Sequence, residues 1–246
     1  MQEPIPAATL VIFREVASGP PELLMVERAK TMAFAGGAWV FPGGRVDPGD
    51  IALAALLAPE LDDAPARIAA IRETIEETGV AIGFQASPVV VAAIRRRLHA
   101  GGAFGEALAD AGATLDLSAL VPFARWRPAH AHARVFDAWF YLAEAAPDAI
   151  ATVDETENVH LTWTTAADLL AEADRGAATI IYPTRRNLER LALYPDYATA
   201  SRDAAAHPVR TITPFVERRD GGDHLCIPEG LGYPVTSEPL IDAVRG

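Results

Sequence analysis

Apolar and polar positions divide this chain into short runs with two different periods. Residues 8–16 are apolar and rich in β-branched side chains, and the turn Ser18-Gly19-Pro20-Pro21 separates them from a second such run at 23–28. The pair predicts a β-hairpin. A third short strand is expected at Trp39-Val40-Phe41, running into Pro42-Gly43-Gly44, where the chain must turn. Asp50 then caps a short helix over 51–58. Further strands are expected at 121–126, 135–142 and 159–163, and helices at 168–174 and 184–193. Two more helices fill 88–120 around Gly101-Gly102. From about 195 onward the chain reads as an irregular extension, with short strands among the prolines and glycines after 209.

The helix that ends at Gly79 is the best-marked element. Asp62 and Asp63 offer caps, Pro65 sits in the first turn, and Gly79 supplies a left-handed stop. Ile68, Ile71 and Ile75 recur at helical spacing and predict its buried stripe. Successive residues lie about 100° apart, so Glu73, Glu76 and Glu77 share an arc of roughly 100° on the opposite side. The pattern predicts three carboxylates on the face away from the core. Like charges at this spacing repel, and the helix dipole disfavours Glu76 and Glu77 in the last turn. Solvent could absorb both penalties. A bound divalent cation would remove them.

Composition narrows the partners. Half of the 246 residues are hydrophobic, 22% are charged and the formal net charge is -12. These values suit a globular protein that binds neither a nucleic-acid polymer nor a membrane surface, since both need a basic field. A phosphate substrate requires a local reversal of sign, which a cation supplies. Cys226 is the only cysteine, which excludes an intrachain disulfide and a cysteine-built zinc site. No basic and apolar leader and no apolar run of membrane-spanning length stand out, so a cytoplasmic location is expected.

A motif makes the chemistry specific. Gly44 is followed by five residues and Asp50, and further on comes Arg72-Glu73-Thr74-Ile75-Glu76-Glu77-Thr78-Gly79-Val80, with Phe41-Pro42-Gly43-Gly44 as lead-in. This resembles the Nudix box. Asp50 stands where the family carries glutamate, and Thr74 where it carries a larger aliphatic residue. Twenty-one residues separate Asp50 from Arg72 where the family has seven, an insertion of 14. With the runs Pro122-Phe123-Ala124-Arg125-Trp126 and Pro183-Thr184 to Leu191, it resembles the branch that includes peroxisomal coenzyme A diphosphatases. The better-known coenzyme A motif has a longer Arg/His pattern before the box, where this chain has only Leu23-Leu24-Met25-Val26-Glu27-Arg28.

The resemblance implies an α/β (α+β) fold, a Nudix-like α/β/α sandwich with a mixed central sheet. It also implies one elaborated domain over 1–246, with helical insertions near 51–63 and 88–120. It implies Mg²⁺ or Mn²⁺ held by Glu76 and Glu77, with Glu73 a further ligand or base and Arg72 orienting a carboxylate. A distant carboxylate from a later loop falls to Glu157, with Glu155 the second choice, unless Asp154-Glu155-Thr156-Glu157 is only a solvated acidic loop. Gly43 and Gly44 bring backbone to the site. Arg28 ends its strand near the site mouth and could meet substrate phosphate, or lie on the surface.

Other residues weigh less. Trp39, Phe136 and Trp139 fit a nucleobase or acyl pocket but suit the core better. His130 and His132 are read as structural or solvated rather than metal-binding. Arg95-Arg96-Arg97 reads first as an exposed helix side, second as an anion-steering patch. The implied partner is a small nucleotide-diphosphate substrate, first coenzyme A or acyl-CoA, with ADP-ribose or a nucleoside diphosphate sugar as the in-class alternative. A Nudix-fold module that senses a nucleotide without cleaving it is the alternative of another class. A homodimer is compatible with any of these.

Overall fold

In the computed structural model, alternating burial along β1 (Ile5–Arg14) sends Ala8, Leu10 and Ile12 into one core and Val11 and Phe13 into another. That is the period-two consequence of the pleat, and it makes β1 the middle of a two-sided sheet. The structure describes residues 3–32, 35–128, 135–154, 157–219 and 221–243.

β1 pairs antiparallel with β2 (Glu22–Arg28) at Phe13↔Leu23 and Arg14↔Glu22. The edge of β2 then passes to β3 (Trp39–Val40), while the edge of β1 passes to β4 (Gly43–Arg45). Phe41-Pro42 carries the chain between those two edges, and the Pro42 carbonyl accepts a hydrogen bond from Leu10 N at 2.9 Å. Where a plain turn is expected at Pro42-Gly43-Gly44, the structure instead has a turn followed at once by β4. Glycine has low strand propensity, so the pairing comes from the register Ala8↔Gly44 and not from the local sequence.

On its other side β1 pairs in parallel with β6 (Phe136–Glu144), from Ile5↔Phe136 to Phe13↔Glu144. β5 (Val121–Trp126) lies antiparallel to β6, and β8 (Thr211–Ile212) is parallel to β5. β7 (Asn158–Thr164) adds to the far side of β2. The result is an eight-stranded mixed sheet with the path β3-β2-β1-β6-β5-β8.

The first core packs this sheet against α1 (Pro48–Leu57), α2 (Ala64–Thr78), α3 (Pro88–His99) and α4 (Phe104–Ala111). The second core packs it against α5 (Ala166–Asp174), α6 (Tyr182–Leu191) and α7 (Tyr197–Ala206). The architecture is the α/β/α sandwich that the resemblance implies. Each fully buried large apolar side chain contributes about 1.5–3 kcal/mol, so both faces are needed to hold the helices.

The stretch from about 195, read as irregular, contains α7. Asp196 caps it by accepting from Thr199 N at 2.6 Å. Beyond β8, a three-stranded sheet of β9 (Phe215–Arg219), β10 (Gly222–Cys226) and β11 (Ser237–Pro239) is followed by α8 (Leu240–Ala243). No helix among the described residues is long and apolar enough to cross a membrane.

Candidate active site

α2 runs from Pro65 in its first turn to Gly79, whose left-handed conformation at φ 69° ends it. Neither Asp62 nor Asp63 makes a side-chain cap. Asp63 instead accepts from Arg67 Nε at 3.0 Å and from the Tyr141 hydroxyl at 3.1 Å. The isoleucine stripe is buried, as its spacing predicts.

The opposite face departs from the expectation. Glu77 is only 5% exposed, and the Glu73 and Glu76 side chains 17% and 31%. An acidic face open to water is therefore excluded. β4 and the N-terminal end of α1 cover it.

Arg72 organises that face. Its Nε and Nη2 donate to the two oxygens of Asp50, both at 3.0 Å, and Nη2 also donates to the Arg45 carbonyl at 2.9 Å. Nη1 reaches Glu73 at 2.9 Å and Glu76 at 3.3 Å. Asp50 is 1% exposed and accepts from Asp47 N at 2.9 Å, so the first turn of α1 is tied to the middle of α2. A bidentate, charge-assisted pair of this kind fixes orientation as well as energy. The guanidinium stays protonated far above neutrality: burial opposes the charge, but Asp50, Glu73 and Asp47 more than offset it.

β4 touches the carboxylates through backbone. Gly43 N donates to Glu77 Oε2 at 3.0 Å. A Cβ at Gly44 would overlap the Glu73 carboxylate, and one at Gly43 would overlap the Ala8 carbonyl and Thr9. Only glycine permits this approach.

From the other side, the Arg28 side chain is 15% exposed and stands 3.8 Å from Glu157, which is exposed. The Glu157 carbonyl accepts from Ala29 N at 2.8 Å, which pins the loop to the end of β2. The structure thus gathers Arg28, Gly43, Gly44, Arg72, Glu73, Glu76, Glu77 and Glu157 into one region. Glu155, His130 and His132 lie outside the described residues.

The electrostatics follow from the crowding. Burial pushes the Glu73 carboxyl up to about 7; Glu76 and Glu157 add to the shift while Arg72 opposes it. Burial, reinforced by Glu73, pushes Glu77 up to about 8 against the pull of Asn158, Gly43 N and Arg28. Without further positive charge the pocket tends to hold protons.

Two residues whose role here the sequence does not reveal complete the surroundings. Arg95, in the basic run on α3, donates Nε to the Glu76 carbonyl at 2.9 Å and Nη2 to the Glu77 carbonyl at 3.0 Å and the Thr152 carbonyl at 2.9 Å. It caps the C-terminus of the carboxylate helix, where positive charge is favoured. It neither lies idle on the surface nor stands free to steer anions. Arg97 ion-pairs with Glu106 and Asp110 on α4. Asn158, at the head of β7, is wholly buried beside Glu77. Neither residue carries a local signal, because a lone polar residue before a strand and a basic helix face are both common.

Trp39 and Trp139 pack against the cores, Trp139 stacked on Tyr141 at 5.9 Å between centroids. Phe136 lies under the Arg45 guanidinium at 5.9 Å. All three therefore have structural contacts in this arrangement.

Among the described residues no three His, Cys, Asp or Glu side chains converge as a preformed cation site. Arg72 Nη1 reaches both Glu73 and Glu76, and Gly43 holds one oxygen of Glu77. The chemistry of the surroundings nevertheless fits a hydrated divalent cation. The site's carboxylates outnumber the neighbouring guanidiniums, and hard oxygen ligands are what Mg²⁺ takes. The buried amide of Asn158 and Nε of Arg28 also have no hydrogen-bond partners among the described residues. Buried polar groups rarely stay unpaired, so each is a place for a ligand or water.

A mixed sheet with helices on both faces and a buried Arg–carboxylate cluster behind a Gly-Gly strand define an α/β/α sandwich with an acidic, arginine-organised pocket. Among solved structures the chain is similar to a Nudix hydrolase from Alicyclobacillus acidocaldarius, 30% identical over 82% of this chain and 97% of that one, with a TM-score of 0.72. The chain belongs to the Nudix hydrolases. Looser likenesses include the MutT protein from Methanosarcina mazei Go1, at 15% identity, 78% and 95% coverage and a TM-score of 0.46. The NUDIX domain of Shewanella oneidensis NrtR, solved with ADP ribose, has 12% identity, 77% and 86% coverage and a TM-score of 0.46. No family model and no curated protein matches.

Proposed function

We propose that this Nudix hydrolase is a Mg²⁺- or Mn²⁺-dependent diphosphatase acting on a nucleotide derivative, with coenzyme A or an acyl-CoA as the first substrate class. The observation that carries the reading is the packing of the Glu73 and Glu77 carboxylates beside Glu76 in a covered pocket, held by Arg72 and by Gly43 N. A divalent cation would relieve that excess and attract a diphosphate to an acidic protein. Glu73, Glu76 and Glu77 would hold it, with Glu157 as the distal carboxylate. When bound, it lowers the pKa of a coordinated water and neutralises phosphate charge.

The chain's own groups supply positioning. Asp50 and the Arg45 carbonyl hold the Arg72 fork, and Arg72 orients Glu73 and Glu76. Gly43 N fixes one Glu77 oxygen, and Arg28 faces the pocket with Nε free of partners among the described residues. Arg28 is thereby suited to a phosphate oxygen. In the reaction, water adds its oxygen to phosphorus, the bridging P–O bond breaks, the leaving phosphate carries away the electron pair and the proton lost by the water passes to solvent.

The residues between Asp50 and Arg72, read as an insertion in the box, begin and end on one bidentate pair. This interruption, with the 122–126 and 183–191 runs, is what points to the coenzyme A diphosphatase branch. We further read the chain as one elaborated domain of a cytoplasmic enzyme, free or as a homodimer.

The test is a substrate panel. Full-length protein with Mg²⁺ or Mn²⁺ is offered coenzyme A, acyl-CoAs, ADP-ribose, NADH and nucleotide sugars, and products are identified by mass. Cleavage of coenzyme A or acyl-CoA at the diphosphate is expected, and preference for ADP-ribose or a nucleotide sugar would replace only the substrate. The lack of a preformed three-ligand cluster among the described residues is the one observation favouring a non-catalytic sensor. No turnover of any diphosphate, with ligand binding intact in Glu76→Gln, would establish that reading instead. Unchanged rate and metal dependence in Glu157→Gln would remove Glu157 from the site.

A further inference from the structure

Asn158 is the least explained buried group near the carboxylates. It is 0% exposed, and among the described residues neither its Nδ2 nor its Oδ1 has a hydrogen-bond partner. Yet it lies close enough to the Glu77 carboxylate to favour its charged form, short of a completed hydrogen bond. Its backbone is fixed on two sides. Asn158 N donates to Asp154 Oδ1 at 3.1 Å, and Asn158 pairs with Arg28 where the β2–β7 register shifts. These contacts hold the backbone so that the amide lies inside the structure beside Glu77.

A buried amide with both ends open costs stability unless something satisfies it in the working state. Glu77 offers an acceptor for Nδ2, and Oδ1 is then left as a neutral hard-oxygen acceptor in the same pocket. Coordinated water is a suitable partner for such an oxygen, because divalent cations polarise their waters into strong donors. Leucine would fill the same volume and supply neither atom.

We propose that Asn158 is a positioning residue of the cation site, its amide orienting Glu77 through Nδ2 and accepting from the cation's hydration shell through Oδ1. The inference rests on the proposed metal-dependent function and adds a member that the box does not contain.

Substrate-free, full-length protein titrated with Mn²⁺, with free Mn²⁺ followed by electron paramagnetic resonance, tests it apart from turnover. Wild type, Asn158→Leu, Asn158→Ser, Asn158→Asp and Glu77→Gln are compared, and Tm is recorded in EDTA. Asn158→Leu and Asn158→Ser are expected to weaken Mn²⁺ binding by about ten- to a hundredfold, the usual cost of losing an outer-shell partner. Asn158→Asp, which keeps an oxygen but loses the Nδ2 donor to Glu77, binds Mn²⁺ more tightly than Asn158→Leu and less tightly than wild type. The EDTA Tm of Asn158→Leu stays level or rises, because an unpaired amide has gone.

Mn²⁺ affinity within about twofold of wild type in Asn158→Leu would overturn the inference. So would a loss of affinity that Asn158→Asp fails to restore even in part and that the EDTA Tm tracks. If the leucine variant does not fold, the serine variant decides. Loss of binding in Glu77→Gln but not in the Asn158 variants sinks only the role of Asn158. Equal Mn²⁺ binding by wild type and Glu77→Gln, or none by either, sinks the cation site itself.

Discussion

α2 and α6 lie on opposite faces of the sheet, and both bury arginine with carboxylate. Arg190 on α6 is 1% exposed, and its guanidinium meets Asp203 at 2.7 Å, Tyr194, the Phe123 carbonyl and the faces of Phe123 and Tyr233. Burial pulls Asp203 upward, but hydrogen bonds from Tyr194 and Arg190 win and hold it below the ordinary carboxylate range. On α2, Arg72 must serve Asp47, Asp50, Glu73 and Glu76, and the carboxyls of Glu73 and Glu77 rise instead of falling. A balanced buried pair is a structural fastening. An unbalanced one is a demand for a further cation.

The sharpest way to break this comparison is to remove each arginine–carboxylate partner in turn. Arg190→Met leaves Asp203 with only His207 as a basic neighbour and strands the Phe123 carbonyl, and should lower unfolding stability by about 1–3 kcal/mol, read by urea denaturation. Turnover by the folded fraction should stay the same. A stability loss below about 1 kcal/mol would mean that the α6 pair is not the fastening described.

Glu77→Gln should do the reverse. Turnover falls by more than the roughly hundredfold that a supporting residue costs, while Tm holds or rises because a buried charge is no longer needed. Arg95→Met comes next. Loss of the cap on α2 should cost about tenfold in turnover and about 1–2 kcal/mol in stability, since three backbone carbonyls lose a charged donor.

The smallest effect is in pH. In EDTA, Glu73 and Glu77 bind protons more tightly folded than unfolded, so their stabilising contribution is complete below about pH 4.5. It is lost as pH rises through about 7 and 8. Tm should therefore decline across that window, and less steeply in Glu77→Gln. A wild-type Tm that rises over the same window would contradict the unbalanced cluster.

The sequence makes the two faces legible to different depths. Period-two burial in β1 and the Pro65-to-Gly79 limits of α2 are local signals, and the fold reproduces both. What the spacing misplaces is the environment of Glu73, Glu76 and Glu77. Helical geometry sets the angle between them, but the covering comes from β4, α1 and the head of β7, which are distant in sequence. Pairing partners likewise decide β4, since Gly43 and Gly44 have no strand preference. α7 was legible in principle, as its alanines favour helix, but Tyr197 and the surrounding prolines obscure a start that depends on the Asp196 cap. Asn158 announces nothing until the chain has folded around α2, and Arg95 stands out only as part of a basic run whose capping role the sequence does not show.

The parallel seam between β1 and β6 sets a timetable for synthesis. Phe136 follows Ile5 by roughly 130 residues, which a ribosome adding about 5–20 residues each second takes many seconds to reach. Throughout that interval one long apolar edge of β1 has no strand to pair with, an invitation to wrong neighbours on a crowded polysome. Slowing translation between β1 and β6 should therefore lower the yield of soluble enzyme more than slowing it after Glu144.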